Sequence, residues 1–178
     1  MLRTCLAAAE VDGTVSVFLE PIARYHTRDL HESGDGGWLA PFDSTADAPI
    51  GRSRVVRDGD HLVIATFGNG VYLSLRAARR LAEAGIECRV VDLRWLAPLP
   101  VDDLVAHARE IGRVLIVDET RRSGGVSEGI VTALVDAGIA VPVRRLAAHD
   151  SFVPLGDAAN LVLVSEDDIV TAAMELSA

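Results

Sequence analysis

Val114-Leu115-Ile116-Val117 runs into Asp118-Glu119-Thr120-Arg121-Arg122-Ser123-Gly124-Gly125, and a helical stretch from Val126 to Ala137, ended by Gly138, follows at once. A short, continuous β-branched run before a glycine-rich turn and a helix predicts a strand buried on both faces. The same unit recurs on either side. Upstream, Cys88 to Leu93 predicts a strand and Val101 to Ile111 a helix that opens after Pro100 with Asp102 and Asp103 at its positive end. Before that, Val71 to Ala84 places Leu73, Ala77 and Leu81 on one helix face, and Gly85 stops it. Arg54 to Arg57 and His61 to Thr66 flank Asp58-Gly59 and predict an edge hairpin. Downstream, Val141 to Leu146 is a strand, and Ser165 with Glu166, Asp167 and Asp168 behind it caps a last helix. Strands alternating with helices imply right-handed parallel crossovers. The fold expected is a three-layer α/β/α sandwich, mostly parallel, with an antiparallel edge hairpin.

The first fifty residues read differently. Leu2 to Ala9 is helix-like, Asp12-Gly13 breaks it, and Val15 to Leu19 predicts a strand. His26 to Gly51 is rich in Gly, Pro, Asp and Ser without a sustained period, which reads as a linker. One helix and one strand cannot bury their own apolar faces. The expected division is therefore a remnant of a preceding domain over 1–25, a linker over 26–53 and the α/β domain over 54–178.

Composition narrows the chemistry. The chain has 178 residues, and its 17 basic residues, all Arg, against 26 acidic ones give a net charge of −9. Without lysine there is no Schiff-base or Walker-type lysine. The acidic balance argues against a nucleic-acid groove or an anionic membrane surface. Cys5 and Cys88 fit no zinc or redox spacing, and with no membrane-length apolar run or signal peptide the expected compartment is the cytoplasm.

In an α/β sheet the loops beyond the carboxyl ends of the strands are those that bind. Gly68-Asn69-Gly70 begins like a dinucleotide fingerprint, but Leu73 occupies the third glycine position, so a tight strand-to-helix turn is expected. Arg121, Arg122, Ser123, Gly124 and Gly125 could hold an anion against the start of a helix or form interface ion pairs. His149, beside Asp150 and after the last strand, is the candidate for proton transfer, although adjacent residues on an extended loop point apart. His107 and His61 read as ordinary surface or core histidines. Gly34-Asp35-Gly36 lacks the buried strand and the following Asn of a metal–diphosphate motif and reads as a solvated turn.

The order of these motifs resembles a known family. Val91-Asp92-Leu93-Arg94-Trp95-Leu96-Ala97-Pro98-Leu99, Thr66-Phe67-Gly68, Asp118-Glu119 with Arg122 to Gly125, and Val143 to Leu146 before Asp150 and Pro154 resemble the beta chains of thiamine-diphosphate-dependent 2-oxoacid dehydrogenases, in their C-terminal, transketolase-like domain. The resemblance runs from about residue 60 to the end. Upstream, Val17 to Pro21 with Tyr25 resembles the end of the pyrimidine-binding domain. It implies an oxidative decarboxylation of a 2-oxoacid with acyl transfer to lipoyl, with thiamine diphosphate and Mg in the complete enzyme and none on this chain alone. Implied partners are the remaining domains or alpha chain, the lipoyl acyltransferase core and a second copy in a homodimer. Neither the activating Glu nor the metal–diphosphate motif has a counterpart here. A transketolase or deoxyxylulose-phosphate synthase fragment, or a free-standing non-catalytic α/β interaction module, are the alternatives.

Overall fold

Leu62, Val63, Ile64 and Ala65, like Val114 to Val117, are shut away from water on both sides. Strands with no wet face need a helix layer above and another below. The computed structural model has that arrangement and describes residues 1–43 and 45–178; position 44, inside the expected linker, lies outside them. In chain order the elements are α1 (Leu2–Asp12), β1 (Arg54–Arg57), β2 (Leu62–Thr66), α2 (Asn69–Glu83), β3 (Cys88–Asp92), α3 (Val101–Ile111), β4 (Val114–Arg121), α4 (Val126–Asp136), β5 (Val143–Ala148) and α5 (Glu166–Ser177). Short 3-10 turns occupy Ile22–Arg24 and Gly156–Leu161. None of these helices is long and apolar enough to cross a membrane.

The five-stranded sheet has the order β1-β3-β2-β4-β5, with every pair parallel except β1 with β3. Residues of one parity pack under α2 and α5, among them Ile64, Val90, Leu115 and Val117. Their neighbours Val63, Val91, Val114 and Ile116 pack under α3 and α4. The two-residue side-chain period of a strand thus builds two cores from one sheet.

Two expectations need correction. The antiparallel edge exists, but β1 pairs with β3 and forms no hairpin with β2. The reason is that β2 has no free edge, since β3 and β4 occupy both its sides. Val15 to Leu19 forms no strand, and Val15, Val17 and Leu19 are all exposed. An extended segment needs a neighbour for its N–H and C=O groups, and no strand lies beside this one among the described residues. Elsewhere the elements match their expected places within a few residues. β4 continues four residues past Val117. The capping box at Ser165 forms with Asp168.

The stretch from 24 to 38 has no strand, yet it is fastened to α2. Arg76 donates to the Leu30 carbonyl at 2.6 Å, Arg79 pairs with Glu32 at 2.7 Å, and Trp38 meets the edge of Tyr72 with ring centroids 5.2 Å apart. The Arg24 guanidinium lies 4.2 Å over the Tyr72 ring, a cation–π contact. These contacts hold the N-terminal segment over the carboxyl end of the sheet.

Two consequences are measurable. Gly70 sits on α2 where an added methyl would run into the Thr66 hydroxyl, which is buried and donates to the Val117 carbonyl at 2.9 Å. Gly70→Ala is expected to cost ~2 kcal/mol in denaturant unfolding. The cost should be less than additive with Thr66→Ala, because the second change removes the obstructing oxygen. α5 is tied to α2 by Glu166, which receives Arg76 at 2.7 Å and Arg80 at 3.0 Å. Burial works to raise the Glu166 pKa, but the two guanidiniums outweigh it and hold the carboxyl below its usual range. Such a group adds stability at pH above its unfolded value, and the increment vanishes as pH falls through the folded one. Glu166→Gln should therefore lower stability at neutral pH by about 1–2 kcal/mol and leave it unchanged in acid, as read by urea unfolding across pH.

Candidate functional site

β4 delivers two consecutive acids to the carboxyl edge, and strand geometry sends them to opposite faces. Asp118 goes to the α4 side. It is fully buried, and its Oδ1 accepts from the Thr120 amide at 2.9 Å and the Thr120 hydroxyl at 2.7 Å. Its Oδ2 accepts the Ser127 amide at 2.7 Å, in the first turn of α4. Gly125 is required here, because a Cβ would stand 2.7 Å from Asp118 Oδ2 and 2.5 Å from the Arg121 carbonyl. Glu119 goes to the α2 side, where Oε1 accepts the Asn69 amide at 3.1 Å. Arg24 Nε reaches the Asn69 side-chain oxygen at 2.6 Å. Burial, with Asp118 beside it, raises the Glu119 pKa.

The Arg121 to Gly125 loop leaves this edge and is pinned from β5. Asp150 accepts the Ser123 hydroxyl at 2.6 Å and its amide at 2.8 Å, and these bonds lower the Asp150 pKa. Arg145 donates to the Arg122 carbonyl at 2.6 Å. Arg121 donates from Nε to the Ser123 carbonyl at 3.1 Å, and neither Arg121 nor Arg122 meets a carboxylate within 4 Å among the described residues. The amides expected to face a ligand at the start of α4 are partly taken already, Ser127 N by Asp118 and Glu128 N by the Gly125 carbonyl. The anion at this helix start is the protein's own Asp118.

His149 is exposed and lines a cleft of about 400 Å³ together with Glu119 and Arg121. Its backbone N–H goes to the Val162 carbonyl, and both Asp150 oxygens go to Ser123, so His149 and Asp150 form no dyad. His61 and His107 sit at the opposite, amino end of the sheet, with His61 against the Glu87 amide and His107 beside Arg89. Cys5 and Cys88 are free and buried, and burial pushes the Cys88 thiol up to about 11.

A second, larger cleft of about 650 Å³ opens at the ends of β2, β3 and β4, between Phe18, Leu19, Phe67, Leu96, Arg94 and Glu119. Asp92 lies in it with its pKa raised by burial, and its Oδ1 accepts the Arg94 amide at 3.0 Å. Arg94 has φ 59°, the one non-glycine residue in the left-handed region among those described. That conformation costs an L-residue on the order of 1–2 kcal/mol. Sequence reading passed over both Arg94 and Glu119 as site residues. Nothing in Asp-Leu-Arg-Trp announces a positive φ, because the conformation is imposed by the Asp92 bond and the surrounding packing.

The thiamine-diphosphate chemistry implied by the resemblance can be tested against these residues. Asp35, the acid of the Gly-Asp-Gly turn, accepts four backbone amides, from Leu30 and Gly37 on Oδ1 and from His31 and Glu32 on Oδ2. Those bonds hold its pKa well below the usual carboxylate range and leave no lone pair for a divalent metal. The turn is a closed structural device. The residues here do not fit a metal–diphosphate site.

A family model, described as transketolase, C-terminal domain, matches residues 51–169. The chain is 46% identical over 133 residues to 1-deoxy-D-xylulose-5-phosphate synthase of Gloeobacter violaceus, covering 75% of this chain and 20% of that protein. It is 35% identical over 129 residues to the pyruvate dehydrogenase E1 component subunit beta of Staphylococcus aureus, covering 71% of this chain and 40% of that one. The chain thus spans about a fifth to two fifths of these relatives. Among solved structures, a split-gene transketolase in an inactive β4 tetramer superposes with a TM-score of 0.68 at 26% identity, over 76% of this chain and 44% of the other. A 2-oxoglutarate:ferredoxin oxidoreductase from Magnetococcus marinus, at TM-score 0.51 and 17% identity over 71% of this chain and 19% of its own, shares the fold alone.

The Asp118 bonds make a testable claim about this edge. Asp118→Ala should destabilise the protein by ~3 kcal/mol, since it strands the buried Ser127 amide at the start of α4 and the Thr120 amide and hydroxyl on β4. Asp118→Asn should recover only part of this, because its NH2 group must face a donor on one side. Chemical denaturation of the two variants gives the comparison.

Proposed function

The chain belongs to the transketolase C-terminal domain family, carried by thiamine-diphosphate-dependent enzymes, and from that membership we propose that it is the C-terminal assembly and docking domain of a 2-oxoacid dehydrogenase first component, beta-chain type. The observation that carries this reading is the collinear run of Asp92 to Leu99, Asp118-Glu119, Arg122 to Gly125 and Asp150 in the order of the pyruvate dehydrogenase beta subunits it resembles. On this reading the whole enzyme decarboxylates a 2-oxoacid on thiamine diphosphate with Mg and passes the acyl group to lipoyl in the cytoplasm. The chain supplies structure, and the cofactor is held by other domains or an alpha chain. Residues 1–25 are the end of the preceding domain, 26–53 the connection and 54–178 the domain proper. The Arg121 to Gly125 loop and the exposed Leu2, Leu6, Val11 and Val15 serve contacts with those domains, a second copy or the acyltransferase core.

The 46% identity to a deoxyxylulose-phosphate synthase favours a second reading, in which the same domain serves a ketol-forming enzyme. The two are separable by assay. Combined with the thiamine-diphosphate-binding polypeptide from its own genome, the chain should support carbon dioxide release from a 2-oxoacid with acyl transfer to lipoamide. Formation of deoxyxylulose phosphate in its place would overturn the dehydrogenase assignment. Titration of the chain alone with thiamine diphosphate and Mg²⁺ should give no saturable heat. Micromolar binding would contradict the structural role.

A further inference from the structure

Asp103, His107 and Glu110 stand at i, i+4 and i+7 along α3, so the three share one face of the helix. His107 and Glu110 meet Arg89 of β3, whose side chain is only 11% exposed. Arg89 donates from Nε to Asp58 at 2.8 Å and to the two Glu110 oxygens at 2.7 and 3.0 Å. It also reaches His107 Nδ1 at 3.2 Å. A guanidinium only donates, so this contact requires an unprotonated Nδ1. One ring nitrogen thus completes a cluster that joins β3, α3 and the connection between β1 and β2.

The same helix face fastens the edge strand β1 at both ends. Just before β1, Asp103 accepts the Ser53 amide at 2.8 Å and pairs with Arg52 at 2.9 Å. Just after it, Arg89 holds Asp58, and Arg57 pairs with Glu87 at 2.7 Å. β1 has a strand on one side only, so its ends matter more to it than to an inner strand. The charged groups around His107 are Arg89 from β3, Asp58 from the β1–β2 connection, and Asp103 and Glu110 from its own helix. Burial, then the Arg89 charge, hold the His107 pKa below its usual 6.5. The Arg89 bonds hold Glu110 below the usual carboxylate range, so the acid stays charged where the histidine titrates.

We propose that His107 is an acid-sensitive latch on β1. A neutral ring accepts from Arg89 and leaves Glu110 wholly to the guanidinium. A proton on Nδ1 turns that contact into donor against donor and cation against cation, and the charged ring then competes for Glu110 and Asp103 on its own helix. The hold of Arg89 on Asp58 and of Asp103 on Ser53 weakens together. The folded latch favours the neutral ring, so its stabilisation is complete above the ordinary histidine value and is lost as pH falls through the lowered, folded one. β1 is where the N-terminal segment enters the sheet, so acid loosens that joint while the two cores stay closed. The latch lies at the amino end of the sheet and does not depend on which enzyme the domain serves.

Hydrogen exchange of the purified chain, followed by mass spectrometry and expressed as protection factors so that intrinsic pH effects cancel, tests the latch. Between about pH 7.5 and about pH 5.5 the protection of the β1 peptide should fall about tenfold, with the β2 and β4 peptides unchanged. His107→Gln, whose amide oxygen accepts from Arg89 without titrating, should hold that fall below about twofold. His61 lies at the same end but makes no polar contact with Arg89 or α3 among the described residues, so His61→Gln should keep the full response. Glu110→Gln breaks the paired bonds to Arg89 and should loosen β1 already at neutral pH, leaving acid less than about twofold to add. That variant carries the test if His107→Gln melts early. Protection of β1 that ignores pH in the unaltered chain overturns the proposal. So does a tenfold fall that persists in folded His107→Gln or in Glu110→Gln, or one that disappears with His61→Gln.

Discussion

Two adjacent acids near the end of β4 organise this domain. The side chains of Asp118 and Glu119 leave β4 on opposite faces, and each accepts an amide from the first turn of a different helix. Asp118 fixes α4 on one side of the sheet and Glu119 fixes α2 on the other. A negative group at the start of a helix satisfies unpaired N–H groups and faces the positive end of the helix dipole. The arrangement works because side chains alternate along a strand and because β4 has paired neighbours on both edges, which fixes its register. The apolar residues before it, Val114 to Val117, alternate in the same way between the two cores. One strand thereby couples both layers of helices.

That coupling determines what the carboxyl edge can offer a ligand. The glycine-rich loop before α4 resembles an anion cradle, but the cradle is filled from within by Asp118 and braced from β5 by Arg145 and Asp150. The unfilled space lies instead beside β3, where the chain leaves the sheet through Arg94. A closed loop and an open cleft occupy the same edge. They differ because Asp118 fills the start of α4 from within, whereas no side chain fills the cleft beside β3.

The N-terminal segment adds a third element to this edge. Arg24, Trp38 and the carbonyl of Leu30 converge on Tyr72 and Arg76 of α2, so the first half of the expected linker is fastened to the domain through side chains. The Gly-Asp-Gly turn within it is shaped by carboxylates accepting backbone amides, Asp35 taking four and Asp29 two. A turn that spends its acid on its own backbone has none left for a metal.

The sequence by itself determined the elements of residues 54–178 and the class of fold they make. Runs such as Val114 to Val117, the helix period of Ala77 and Leu81, and the capping box from Ser165 to Asp168 each encode a local preference that tertiary packing then agreed with. The motif order also carried the family. Only the tertiary structure decided the rest. β1 pairs with β3 because β2 has no open edge, a fact about neighbours distant in sequence. Val15 to Leu19 has strand-like residues but no strand beside it, and pairing, unlike propensity, requires a second chain segment. Arg94 adopts a conformation that its residue type disfavours because Asp92 and the surrounding core hold it there. Which way Asp118 points was implicit in strand alternation, but what it meets depends on where α4 packs, and that is set across the sheet by residues far along the chain.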